Sequence, residues 1–272
     1  MTTQSPLSTA EVGSMDRLLR VKLFLVIWLL AMLGALAVLP YAFDAVPVQS
    51  VEQPLSQPEL LFISLLQTGV ILAIMIVVGL NLAPRVGLGA PFLVSWLNHE
   101  PTPKSWSKVL LLSIGVGVAA ALLVIGLEFL YFSPAMAAIG TSFPANAQPP
   151  TWQSFLASFY GGITEEVMMR LFLMTLLVWL GSKVSYDRSG QPTTAVFWLA
   201  IVGTTIVFGL GHLPITLAMG VPLNGLIVTR AVVLNGLSLA FGWLYWKQGL
   251  ESAMVAHFSA DIVLHVIPKL LA

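Results

Sequence analysis

Three short groups of residues in the second half of this chain have the types and spacing to do chemistry. They are Glu165-Glu166-Val-Met-Met-Arg170, Phe208-Gly-Leu-Gly-His212 and His257-Phe-Ser-Ala-Asp261. On a helix, Glu166 and Arg170 lie four apart and share a face, so they can form a charge pair. Glu165 points about 100° away from Glu166 and is free for another task. His257, Asp261 and His265 also repeat at spacing four and form one stripe. A carboxylate not tied to Arg170, two imidazoles and a second carboxyl could converge if the three segments pack together. Such a set can activate a water and hand protons to a leaving group.

The segments around these residues are apolar. On insertion scales a charge at the centre of a membrane helix costs roughly 2.5–3.5 kcal/mol. Glu165, Glu166 and Arg170 together would then cost on the order of 8–10 kcal/mol. The Leu, Phe and Val side chains from Leu171 to Leu180 offset less than half of that, at about 0.3–0.6 kcal/mol each. This helix cannot be a lipid-facing anchor. Its polar face must meet a bundle interior or a water-filled cavity.

The rest of the chain is of the same kind. Hydrophobic residues make up 57% of it and charged residues 9%, against about a quarter charged in a soluble domain. Apolar runs near the ~20 residues needed to cross a bilayer, without the alternation of barrel strands, predict an all-α polytopic transmembrane helical bundle. Spans are expected at about residues 23–43, 60–82, 109–132, 155–180, 196–213, 226–246 and 250–267. That makes seven, or eight if the stretch after Pro222 breaks in two. Three parts follow: a cytoplasmic segment 1–22, N-terminal membrane helices over 23–150, and a catalytic helical core over 151–272. The first apolar run is longer than a signal peptide's core, so it is read as the first span. Small residues at Gly161, Gly162, Gly203, Gly209 and Gly211 are expected to allow close helix approach.

Loop charge sets the orientation. Residues 44–59 and 133–152 contain no Lys or Arg, whereas the alternate connections carry Arg85, Lys104, Lys108, Lys183, Arg188 and Lys247. Together with Arg17, Arg20 and Lys22 this bias puts the N-terminus in the cytoplasm. Lys269 is the exception. Net charge is zero and nothing suggests a nucleic-acid partner. The chain has no cysteine, which excludes disulfides and thiolate-bound metal.

The three groups resemble the signature of the CPBP family, the CAAX-protease and bacteriocin-processing membrane enzymes also called Abi proteins. That signature is Glu-Glu-x-x-x-Arg, then Phe-x-x-x-His, then His-x-x-x-Asn/Asp, each on a membrane helix. Here all three occur in order, and the resemblance covers roughly residues 152–267. It implies a glutamate-dependent intramembrane endopeptidase without a cofactor or metal, in a membrane that is expected to be the prokaryotic inner membrane. Its partners would be membrane lipid and a peptide or protein substrate that can be lipidated. By the same resemblance Glu165 is the general base, helped by His212, with Glu166 and Arg170 bracing the site. His257 and Asp261 would contact the oxyanion and orient the scissile carbonyl. An ionised Asp cannot donate to an oxyanion, so Asp261 acts there as the neutral acid or works by orienting His257.

Other readings use the same residues. Glu166 and Arg170 can be a buried ion pair that locks helices. Phe208 reads as core, His265 as structural, Glu128 as interfacial, and Arg230 as snorkelling or locally paired. A proton-coupled transporter or channel would use Glu and His as a relay, but the sequence has no repeat to support one. A zinc-dependent protease could take Glu165, His212, His257 and Asp261 as ligands, but the His-Glu-x-x-His pair of such enzymes is absent. A catalytically dead scaffold would have no need of so many costly polar groups.

Overall fold

The computed structural model describes residues 17–45, 56–101, 105–143 and 149–271. Lys104, most of the loop 44–59 and part of the loop 133–152 lie outside the described residues. The described residues form a bundle of seven long helices: α1 (Arg17–Asp44), α2 (Pro58–Val86), α3 (Trp106–Ala138), α4 (residues 151–182), α5 (Thr194–Ala218), α6 (Gly225–Gln248) and α7 (Leu250–Leu271). All except α4 are long and apolar enough to cross a membrane. The seventh, α4, carries Glu165, Glu166 and Arg170. Its charges are tolerable because it is the hub: α1, α2, α5 and α7 all pack on it. The span after Pro222 does not divide. A 3-10 turn at Asn235–Leu237 bends α6 but leaves it one helix.

Outward faces are hydrophobic, as a lipid environment demands. Leu33, Leu66, Leu111, Phe129 and Leu199 are all exposed. The inward faces divide into two kinds of contact. One is a core of ordinary apolar side chains, with Ile27 of α1, Ile76 of α2, Leu171 of α4, Ile201 of α5 and Leu244 of α6 in a single cluster. The other is small-residue packing. Ser113, Gly117 and Ala121 are the buried residues of α3 as far as Leu127, and they run beside Ser252, Ala256 and Ala260 of α7. The Ser113 and Ser252 hydroxyls are 2.6 Å apart, and a Cβ on Gly117 would collide with the Ala256 carbonyl. Spacing four on both helices lets two backbones approach in parallel without a hydrophobic driving force.

Polar ties fix the remaining helices to one another. Thr164 of α4 donates to the Ala31 carbonyl of α1 at 2.8 Å, and Trp28 of α1 donates to the Gly69 carbonyl of α2 at 2.9 Å. At the N-terminal end of α7, Glu251 accepts the Leu93 amide at 2.8 Å and so caps the short helix Pro91–Leu97. In the α4–α5 connection, Asp187 accepts from the Ser189 hydroxyl and from the Ser189 and Gln191 amides. These bonds, that of the Ser189 hydroxyl foremost, hold its carboxyl below the usual range.

Of the two settings expected for Arg230, the structure shows pairing, and its partner is the partly exposed Glu128. They form one ion pair at 2.8 Å between α6 and α3, and Phe143 lies 4.6 Å under the guanidinium. Lys269, the one basic residue against the loop bias, donates to the Pro149 carbonyl and to Ser154 at 2.7 Å. It ties the end of α7 to the start of α4.

Candidate active site

Glu166 stands at the middle of the site because α4 aims it inward. Both its side chain and that of Arg170 are fully buried, with Arg170 Nη1 3.0 Å from Glu166 Oε1. The same Oε1 accepts from His257 Nδ1 at 2.7 Å. Arg170 Nη2 donates to the Ser238 carbonyl at 2.9 Å and to its hydroxyl at 2.7 Å. Thr205 of α5 reaches the same hydroxyl at 3.3 Å. Four helices therefore meet on one buried charge pair. A buried ion pair is tolerable only when its remaining groups find partners. Arg170 Nε and Nη1 have no aligned hydrogen bond, but the faces of Phe208 and Phe241 lie 5.7 and 5.6 Å from the guanidinium carbon. Aromatic faces attract a cation at that distance.

His257 bridges this closed floor to an open side. Its Nδ1 is held by Glu166, and Phe241 stacks on the ring at 4.8 Å. Its Nε2 lies 3.7 Å from Glu165 Oε2 and 3.7 Å from Asp261 Oδ1. Those separations exceed a hydrogen bond, so the carboxylates flank Nε2 without closing on it. Gly161 makes the space. A Cβ there would collide with Asp261 Oδ2 and lie 3.2 Å from His257 Nε2.

Accessibility rises along α7 in one direction. Ala253 is 0% exposed, His257 4%, the Asp261 side chain 14%, and His265 is exposed. The Glu165 side chain is 18% exposed. The site thus opens toward the end of the bundle where α4 begins and α7 finishes.

His212 has a different setting from the others. Residue 212 is a joint: α5 runs to Gly211, turns, and continues as Leu213–Ala218. The span ends a full turn and more beyond the boundary expected from sequence, and this brings His212 inside the bundle. Its Nδ1 lies 2.8 Å from the Phe208 carbonyl. A carbonyl can only accept, so Nδ1 carries the proton and a neutral ring keeps its lone pair on Nε2. His212 makes no ion pair with the carboxylates. Phe208 stands between the two histidines, 4.8 Å from His212 and 5.7 Å from His257, edge-on to both. It is buried, as its reading as core expects, and it also forms a wall of the site.

Both helices that supply the open-side carboxylates leave α geometry at that point. Tyr160–Glu165 and Val167–Met174 of α4 are π-helical, as is Ile262–Val266 just after Asp261. Such turns are frequent at functional sites. Ser238, Thr205 and Phe241 escaped the sequence reading, as did Glu251; the first three belong to no charged pattern. Among the small residues expected at close contacts, Gly161, Gly162 and Gly209 are so placed. Gly203 touches only Leu177 at 3.7 Å, and Gly211 meets nothing within 4 Å. Among the described residues, no three His, Asp or Glu side chains are grouped to hold a metal ion.

Residues 147–263 match the family model described as type II CAAX prenyl endopeptidase Rce1-like. Over that stretch the chain is similar to the Rce1-like family. The Rce1-like segment is less than half of the chain, yet it holds every residue of the three motifs and agrees with the stretch over which the CPBP resemblance runs. The similarity supports a protease of CAAX type within a membrane. No curated protein and no solved structure matches the chain.

Proposed function

We propose that the chain is a glutamate-dependent endopeptidase that cuts a membrane-associated or lipid-modified peptide or protein, with Glu165 as the base. The observation that carries this reading is the division of labour around His257. Glu166 is sealed and committed to Arg170 and His257, whereas Glu165 is uncommitted and on the open side.

In this reading the Glu165 carboxylate takes a proton from water as the oxygen adds to the scissile carbonyl carbon. The carbonyl electron pair moves onto its oxygen. When that pair returns, the C–N bond breaks and the proton held by Glu165 passes to the leaving nitrogen. His212, with its lone pair on Nε2, orients the water. Glu166 and Arg170 hold His257 so that its Nε2 stays aimed between Glu165 and Asp261. Asp261 either acts as a neutral donor or fixes His257. With the N-terminus cytoplasmic, as loop charge favours, the opening faces outward across a prokaryotic cell membrane.

Comparative proteomics of membranes containing the wild-type chain or Glu165→Gln tests this. Peptides cut only by wild type are expected; the same cut in both would overturn the role of Glu165. Purified protein is expected to stay active after prolonged 1,10-phenanthroline or EDTA treatment. Stoichiometric zinc, with activity lost on its removal and restored on its return, would instead establish the zinc-protease reading.

A further inference from the structure

An acyl-transfer site needs hydrogen-bond donors where negative charge develops, and this site is short of them. Glu165 and Asp261 offer acceptors on its open side. Arg170 is spent on Glu166 and Ser238, and His212 Nδ1 on Phe208. His257 Nδ1 is spent on Glu166, and its Nε2 lies 3.7 Å from each of two carboxylates.

One neutral donor lies on the same helix face as the base. Tyr160 opens the π turn Tyr160–Glu165, in which residues five apart are hydrogen-bonded and so lie on one face. The side chains of Ser158 and Thr164 on this part of α4 bond to backbone carbonyls; the phenol of Tyr160, half-buried, makes no hydrogen bond among the described residues. Its backbone is held rigidly. A Cβ on Gly34 of α1 would lie 3.0 Å from the Phe159 carbonyl and 3.4 Å from Tyr160 Cα. The next residue, Gly161, lies against Asp261 and His257.

We propose that Tyr160 is a catalytic residue whose phenol O–H donates to the oxyanion of the tetrahedral intermediate. It does there what an ionised Asp261 cannot. This rests on the protease reading above. The phenol keeps its proton throughout, and no bond to it forms or breaks.

The test uses the full-length purified chain and a peptide whose cleavage is lost in Glu165→Gln. Tyr160→Phe keeps the ring and removes only the donor. Its kcat is expected to fall about 100-fold with KM within about twofold and unchanged yield of folded protein. A phosphinate analogue of the same peptide, which imitates the tetrahedral oxyanion, should bind the variant more weakly by a similar factor, while the peptide itself binds as before. A structural role would weaken both alike. Unchanged kcat, a loss carried by KM, or equal weakening of peptide and phosphinate each overturns the proposal. Absence of any Glu165-dependent cleavage is a different result, since it removes the protease reading and this proposal together.

Discussion

The two sides of His257 are built from the same residue types and differ in everything else. On the closed side, Glu166 and Arg170 are fully buried and joined to Ser238 and the faces of Phe208 and Phe241. On the open side, Glu165 and Asp261 stand 3.7 Å from the ring, partly exposed, with room kept by Gly161. Adjacent glutamates thus receive opposite duties because one residue's step turns the side chain by about 100°. The closed side should answer mutation with lost stability and the open side with lost activity.

The largest effect expected belongs to the open side. Glu165→Gln should reduce cleavage by about 10³-fold or more while the protein accumulates and melts as wild type in detergent. A matching fall in melting temperature would place Glu165 with the structural group. Next comes the closed side. Arg170→Ala leaves Glu166 buried without its cation, at a cost of roughly 3–5 kcal/mol, and should lower the yield of folded protein. Normal yield and melting would show that Glu166 has another partner.

Gly161→Ala attacks the boundary between the two sides. Its methyl group would displace Asp261 or His257, and a misplacement of about 1 Å can cost on the order of 100-fold in rate. Unaltered kcat would mean that α4 and α7 can part without consequence. Asp261→Asn separates two roles for that residue: retained activity favours a donor, lost activity a carboxyl that orients His257. The smallest effect is expected far from the site. A double-mutant cycle on Glu128 and Arg230, a partly exposed pair, should give a coupling of about 0.2–1 kcal/mol in stability and no change in cleavage. A change in cleavage there would tie the α3–α6 contact to the site.

Much of the bundle is legible from hydrophobicity because a membrane core imposes span length regardless of packing. Each expected span finds its helix, and the polar α4 finds its place at the centre because its charges leave no alternative. The errors are instructive. The expected end of α5 at residue 213 falls short of the observed one, because the helix continues past its joint at His212 to Ala218. Arg230 and Glu128 were treated separately because 102 residues divide them, and no local spacing rule reaches that far.

Charge, periodicity and spacing alone determined that this chain is a helical membrane bundle, that Glu166 and Arg170 share a face, and that Glu165 does not. These are properties of one helix, fixed by its turn of 3.6 residues and by the cost of charge in lipid. Only the tertiary structure decided which groups meet. It brought Ser238 and Phe241 to Arg170, put Phe208 between the histidines, spread π turns beneath Glu165 and beyond Asp261, and opened one side of His257 while sealing the other. Those outcomes depend on how closely backbones from separate helices approach, and a sequence carries no local signal for that distance.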